Sequence, residues 1–107
     1  MGAYPSSYLS VGEPVDRALT TLAMRSGLSP ALTVRLREVA AGLTNSEVAA
    51  AHDISINTVK TQVAQLLGAL HVSCRHEIQD AVAAACHRAK RGATTPEILA
   101  FLILRLE

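Results

Sequence analysis

The chain has 107 residues, of which 50% are hydrophobic, 3% aromatic and 18% charged, and its formal net charge is +1. This length suffices for one domain with a core of its own, and the prevalence of Ala and Leu favours an all-α fold. A net charge near zero excludes the broad basic field by which many nucleic-acid-binding proteins attract their ligand.

Cysteine content and hydropathy indicate the compartment. Cys74 and Cys86 are too few for a disulfide framework and are typical of a reducing environment. The N-terminus lacks a basic region followed by an apolar core, and the most apolar window, residues 98–106, is too short to span a bilayer. We therefore expect a cytoplasmic protein with no membrane partner.

The first 27 residues divide into two parts. Residues 1–14 carry Gly, Pro and Ser with few apolar anchors and predict a flexible lead-in. Apolar residues then recur at helical spacing, with Pro14 placed as a helix starter and Gly27 as a left-handed stop. The pattern over residues 15–27 predicts an N-terminal helix that packs on the next unit.

The next helix is predicted by its two ends. Ser29 is a good N-cap, Pro30 suits the first helical position, and Gly42 ends the helix. Apolar residues at helical spacing form its inner stripe, so its charged side chains are predicted to face solvent. These are Arg35, Arg37 and Glu38.

Two further helices follow at short spacing. Thr44 or Asn45 can cap a short helix over residues 46–52, and Ser55 can cap a longer one over residues 56–69. Because a turn of only about three residues joins them, the two helices must cross at a steep angle. The pattern predicts a helix-turn-helix.

The longer helix is amphipathic. Its apolar stripe is formed by Val59, Val63, Leu66, Leu67 and Leu70. Its opposite face, which we call the reading face, is formed by Asn57, Lys60, Thr61, Ala64 and Gln65. Short polar side chains suit contact with base edges in DNA, but they equally suit water, and periodicity alone leaves both readings open.

A cluster of positive charge ends the next helix, predicted over residues 74–90. Arg88, Lys90 and Arg91 stand where positive charge complements the helix dipole. Contact with a phosphate is the alternative explanation.

The last predicted helix is apolar almost all round. Thr94 and Glu97 form a capping-box pattern with Pro96 in the first turn, and residues 98–104 are uniformly apolar. Such a helix must be buried, either within its own domain or against another chain. We expect a homodimer built on this helix, with an intramolecular cap over the core as the alternative.

Residues 28–82 together resemble the LuxR/GerE/FixJ family of bacterial helix-turn-helix transcription regulators. The elements that carry the resemblance, in register and without a gap, are Leu28-Ser29-Pro30, Gly42-Leu43-Thr44-Asn45, Glu47-Val48-Ala49, Ile54-Ser55, Thr58-Val59-Lys60-Thr61, Val63, Leu67, Leu70, Val72 and Arg75. The resemblance implies a four-helix DNA-binding domain over residues 28–91. It also implies binding as a dimer, with the helix at 56–69 in the major groove.

The resemblance assigns roles to residues of this chain. Lys60 and Thr61 would face bases, and the same exposed surface carries Asn57 and Gln65. Contacts to the DNA backbone are expected from Thr44, Asn45, Thr58 and Gln62. The expected function is sequence-specific binding of double-stranded DNA by a transcription regulator that uses no cofactor. RNA polymerase or another regulator is a further candidate partner.

Departures from the family pattern concern charge and surface. Between residues 28 and 82, four Lys or Arg oppose five Asp or Glu, so we expect weak and strongly salt-sensitive binding unless two subunits combine. Residues 31–34 are apolar where the family carries charge. This suggests that the helix at 15–25 or the one at 98–106 covers them.

Three alternatives stay open at this point. A protein-interaction module could keep the helix-turn-helix fold without DNA binding. A metal site would draw on a loose group of thiols and imidazoles (His71, Cys74, His76, Cys86 and His87), whose spacing matches no standard zinc site. Enzymatic function has little support, because no phosphate-binding loop and no recognisable nucleophile–base pair is present.

Overall fold

A computed structural model describes residues 12–106, which form six α-helices and contain no strand. The helices are α1 Glu13–Arg25, α2 Pro30–Ala40, α3 Asn45–His52, α4 Ile56–Ala69, α5 Arg75–Lys90 and α6 Thr95–Leu106. The all-α prediction is confirmed, and α4 has the predicted bounds. Most of the lead-in predicted for residues 1–14 lies outside the described residues.

Local signals set most helix ends. The side chains of Ser29, Thr44 and Ser55 each accept a hydrogen bond from the backbone of the first turn that follows. Gly27 and Gly42 adopt φ values of +69° and +87°, which only glycine tolerates without strain.

The helices pack in two groups, which are joined by contact between α2 and α5. In one group α4 lies across α2 and α3, and in the other α6 packs on α1 and α5. The apolar residues of both groups form one continuous core. Because α1 and α6 pack chiefly on each other and on α5, they lie away from the α3–α4 corner and leave it accessible.

α6 is buried within its own chain. Ile98 and Leu102 are fully buried, Leu106 is 2% exposed, and Phe101 is half-buried against the core. The intramolecular cap therefore accounts for most of the apolar surface of α6. Of its large apolar side chains, only Leu104 stands out in solvent, at 84% exposure.

Two expectations for α2 were wrong. Arg35 and Glu38, predicted to face solvent, are 5% and 0% exposed. Residues 31–34 are not covered by a flanking helix, since Ala31 and Val34 remain exposed. α1 instead meets α2 farther along, where Arg37 forms an ion pair with Asp16.

Candidate nucleic-acid interface

The start of α4 is held by a local cap. The backbone N–H of Thr58 donates to the Ser55 hydroxyl at 3.1 Å, and the two hydroxyl oxygens lie 2.9 Å apart. The Thr58 hydroxyl is thus already engaged with Ser55. It stays exposed, so contact with a phosphate through its remaining hydrogen-bonding capacity is sterically open.

The reading face of α4 is open to solvent. All five of its residues are exposed, while the opposite stripe is buried, with Val59 and Leu66 at 0% and Val63 at 8%. No flanking helix covers this face. The α3–α4 corner therefore has the accessibility that insertion into a groove requires.

Gln62 lies at the edge of the reading face and is hydrogen-bonded to Arg35 of the underlying α2. Its Oε1 accepts a hydrogen bond of 2.6 Å from Nε of Arg35 on α2, and the side chain is half-buried. Because Nε–H is a donor, the amide must present its oxygen to Arg35 and its NH₂ group in the other direction. Gln62 therefore offers a donor, and not an acceptor, to an incoming ligand.

Arg35 connects Gln62 to the buried Glu38 and, through it, to the partly exposed His52. Its Nη1 donates to Oε1 of Glu38, and Oε2 of Glu38 lies 2.6 Å from Nε2 of His52 on α3. We call the series Gln62–Arg35–Glu38–His52 the buried polar chain. It joins α4, α2 and α3, which is why Arg35 and Glu38 can lie inside: buried charge is tolerated when it is paired and hydrogen-bonded.

Burial shifts the pKa values of two groups in the buried polar chain. Removal from water raises the pKa of the Glu38 carboxyl, an effect that the hydrogen bond and the charge of His52 oppose. Burial likewise lowers the pKa of Arg35. The His52 side chain is 35% exposed and gives the chain its contact with solvent.

The start of α3 forms the second part of the interface. Thr44 and Glu47 complete a capping box, with Glu47 N–H donating to the Thr44 hydroxyl at 3.1 Å and Thr44 N–H donating to Glu47 at 2.8 Å. Asn45 begins the helix, and its Oδ1 accepts a 2.6 Å hydrogen bond from Nη1 of Arg75. Nη2 of Arg75 donates to the carbonyl of Leu43, also at 2.6 Å.

Arg75 therefore fixes the loop before α3 to the start of α5. These hydrogen bonds give Arg75 a role in fixing the α3 loop that its place in the sequence pattern did not indicate. Neither the hydrogen bonds of Arg75 to the α3 loop nor the participation of His52 in the buried polar chain was predicted. Both pairings join residues far apart in sequence, so no local pattern signalled them.

The interface is poor in free positive charge. Between Thr44 and Leu70, Lys60 is the sole Lys or Arg, and it is exposed. The neighbouring cations are committed elsewhere: Arg35 to Glu38, Arg37 to Asp16, and Arg75 to the α3 loop. Lys60 thus carries most of the attraction that this surface exerts on a polyanion.

The structure adds nothing in support of the metal-binding alternative. Within residues 12–106, no three His, Cys, Asp or Glu side chains lie close enough together to hold a metal ion. None of the six described helices combines the length and apolar character needed to cross a bilayer.

Comparison with known proteins gives one match. Residues 32–82 match the family model GerE, described as bacterial regulatory proteins, luxR family. The matched segment runs from the first turn of α2 into the middle of α5, and so contains the α3–α4 corner. No curated protein and no solved structure matches the chain significantly.

Proposed function

We propose that the protein binds double-stranded DNA sequence-specifically with α4 in the major groove. Residues 32–82 match the luxR family of bacterial regulatory proteins, whose GerE domain is a helix-turn-helix for DNA-binding transcription regulation. The observation that carries the proposal is the open reading face of α4. A major groove about 12 Å wide admits one helix, and exposed polar side chains on that helix reach base edges.

The reading face supplies distinct contacts. Lys60 donates to base acceptors or to phosphate, and Thr61 offers a hydroxyl together with a methyl group that suits thymine. Asn57 and Gln65 extend the same face by about one turn in each direction. These four residues are the proposed sources of sequence discrimination.

Backbone contacts come from the surrounding residues. The NH₂ group of Gln62 is held outward by Arg35, so it is the proposed donor to a phosphate oxygen. Thr44, Asn45 and Thr58 bring the N-termini of α3 and α4 towards the duplex, where backbone N–H groups and the helix dipoles favour phosphate.

Scarcity of charge sets the expected binding behaviour. Each phosphate that a protein neutralises contributes about 0.9 to the slope of log K against log salt concentration. One free cation per subunit predicts weak binding by a monomer and a shallow slope, which corrects the strong salt sensitivity expected from the sequence. We therefore include a homodimer on two half-sites about 34 Å apart in the proposal, because it doubles the contacts.

The experiment starts from a pool of random duplexes, since the DNA site is unidentified. Sequences selected by the purified protein are measured by fluorescence anisotropy over a range of salt concentrations, for the wild type, Lys60→Ala and Arg25→Ala. Arg25 is an exposed cation in the last turn of α1 and serves as the matched control.

We expect Lys60→Ala to lower the salt slope by about 1 per subunit and to weaken binding at low salt, while Arg25→Ala leaves both quantities near the wild-type values. Binding that Lys60→Ala leaves unchanged at every salt concentration contradicts the assigned face. Failure to enrich any sequence from the pool rejects DNA recognition and favours the protein-interaction module. Analytical ultracentrifugation with the selected duplex tests the dimer through the ratio of protein to DNA.

A further inference from the structure

A concave site lies at the far end of the molecule from the reading face. The C-terminal end of α5, the turn at Gly92 and one side of α6 line an open depression of about 560 Å³. We call this site the cationic cleft, because its lining includes three arginines. Its polar and aromatic lining residues are His87, Arg88, Arg91, Glu97, Phe101 and Arg105.

Distance separates the cleft from the proposed DNA interface. Arg75 contacts the α3 loop at the start of α5, whereas Arg88 lies about 20 Å farther along the same helix at about 1.5 Å per residue. The arginines of the cleft are therefore not part of the proposed contact between α4 and DNA.

In the described part of the chain, the arginines of the cleft have no counter-charge bound to them. Within residues 12–106, Arg88, Arg91 and Arg105 take part in no hydrogen bond and no ion pair with other side chains. Their exposed positions leave the N–H groups free for a ligand. A group of three such guanidiniums repels itself, and a bound anion relieves that repulsion.

Phe101 holds two of these guanidiniums in place. The Cζ atoms of Arg88 and Arg105 lie 4.3 and 5.4 Å from the centroid of its ring. The ring is itself half-buried against the core, so it is a fixed platform. Cation–π contact positions the guanidinium groups while leaving their N–H edges available, and pre-organisation lowers the entropy cost of binding.

The one carboxylate in the cleft is already engaged. Oε1 of Glu97 accepts hydrogen bonds from the Thr94 hydroxyl at 2.8 Å and from the Thr94 N–H at 3.2 Å. These hydrogen bonds lower the pKa of Glu97, so it is ionised at neutral pH. It neutralises part of the positive charge and leaves a net positive site.

Charge density indicates the ligand. An exposed pair of one arginine and one carboxylate contributes at most about 1 kcal/mol, so a monovalent anion does not bind such a site appreciably. An extended acidic peptide turns only every second side chain to the same side, which spreads its charges. Linked phosphate groups instead place several negative charges close together. Their oxygens can accept two parallel N–H hydrogen bonds from one guanidinium group.

We infer that the cationic cleft binds an oligophosphate group, with Arg88, Arg91 and Arg105 as its ligating residues. The volume of the depression falls within the range of small-molecule sites, about 300–1,000 Å³. Two sources share this chemistry: inorganic oligophosphate and the phosphate chain of a nucleotide.

The test follows backbone amide shifts in ¹H–¹⁵N NMR spectra of the full chain at low salt. Inorganic triphosphate, ATP, AMP, inorganic phosphate and a tetra-aspartate peptide are titrated separately. We expect saturable shifts for triphosphate and ATP that centre on residues 87–105, with AMP and phosphate at least about tenfold weaker. Equal affinity for triphosphate and ATP identifies the phosphate chain as the ligand, and a preference for ATP adds a contact to the nucleoside.

Three variants assign the site. The double variant Arg88→Gln with Arg105→Gln is expected to weaken triphosphate binding by at least about tenfold, whereas Arg25→Gln, which removes a distant exposed charge, changes it by less than about twofold. Glu97→Gln removes the opposing charge and is expected to tighten binding. Circular dichroism spectra and melting temperatures check that each variant is folded.

Several results overturn the inference. These are an absence of saturable shifts with triphosphate, shifts spread over all exposed cations, equal weakening by Arg25→Gln, and a peptide that binds as tightly as triphosphate. A DNA duplex that shifts residues 87–105 as strongly as α4 makes the cleft a second DNA contact and also contradicts it. Failure of α4 to bind DNA leaves the result unaffected, so the two proposals fail separately.

Discussion

The part of the protein beneath α4 and the part beneath α6 share one apolar core, but the part beneath α4 also contains the buried polar chain. Under α4, the buried polar chain connects three helices through hydrogen bonds of defined direction. Under α6, aliphatic side chains such as Leu102 pack on α1 and α5 without direction. Directional contacts constrain the orientation of a helix more closely than apolar packing does. The more constrained part is also the one that presents the reading face.

The largest predicted effect on stability comes from disrupting the buried polar chain. Glu38→Ala removes an acceptor of both Arg35 and His52, leaves the Arg35 charge buried without a counter-charge, and creates a cavity. We expect the free energy of unfolding to fall by about 4 kcal/mol, as measured by urea denaturation. A loss below about 1 kcal/mol would show that the buried polar chain contributes little to stability.

The neutral isostere refines this test. Glu38→Gln keeps the volume of the side chain and avoids the cavity, so it is expected to cost less than Glu38→Ala although Arg35 loses its counter-charge. Burial raises the pKa of Glu38. The folded state binds this proton more tightly than the unfolded chain. Its contribution to stability is therefore complete below the ordinary pKa of 4.5 and decreases as pH rises through the higher folded value. The difference in stability between wild type and Glu38→Gln should follow that direction over pH, and the opposite slope would contradict it.

The apolar part is tested at Leu102. This residue is fully buried in α6, and Leu102→Ala is expected to lower the free energy of unfolding by about 3 kcal/mol through lost apolar contact and the cavity that remains. Leu104→Ala on the same helix is the matched control, since Leu104 is 84% exposed and the expected change is within about 0.5 kcal/mol. Dimer dissociation with Leu104→Ala would instead place this face of α6 in a subunit interface.

The smallest predicted effect lies where the chain passes from α4 to α5. His71 adopts a φ of +58°, a left-handed conformation that costs a residue with a Cβ atom about 1 kcal/mol or more. His71→Gly is expected to raise the free energy of unfolding by about 0.5–1 kcal/mol, and His71→Ala, which keeps the strain, should give no gain. Equal effects of the two substitutions would mean that the imidazole, and not the backbone, determines stability here.

The sequence predicted the helices well because their ends are local. The N-caps Ser29 and Ser55 and the stop at Gly42 act within a few residues of themselves, and the apolar stripe of α4 follows from the helical period. Capping by Thr44 was one of two predicted choices, and its partner Glu47 was missed. The positions of the site residues on α3 and α4 follow from these local rules, whereas the DNA contacts assigned to them stay predictions.

The amino-acid sequence alone determined six helical segments, the amphipathic character of α4 and the scarcity of cations near it, since each depends on composition or on neighbours along the chain. The tertiary structure decided which charged groups are buried and which are free. Arg35 meets Gln62 across 27 residues, Arg75 meets Asn45 across 30, and Glu38 meets His52 across 14. Whether such a side chain faces water or a partner depends on where other helices bring their polar atoms, because burial of a charge is tolerated only where these atoms satisfy it.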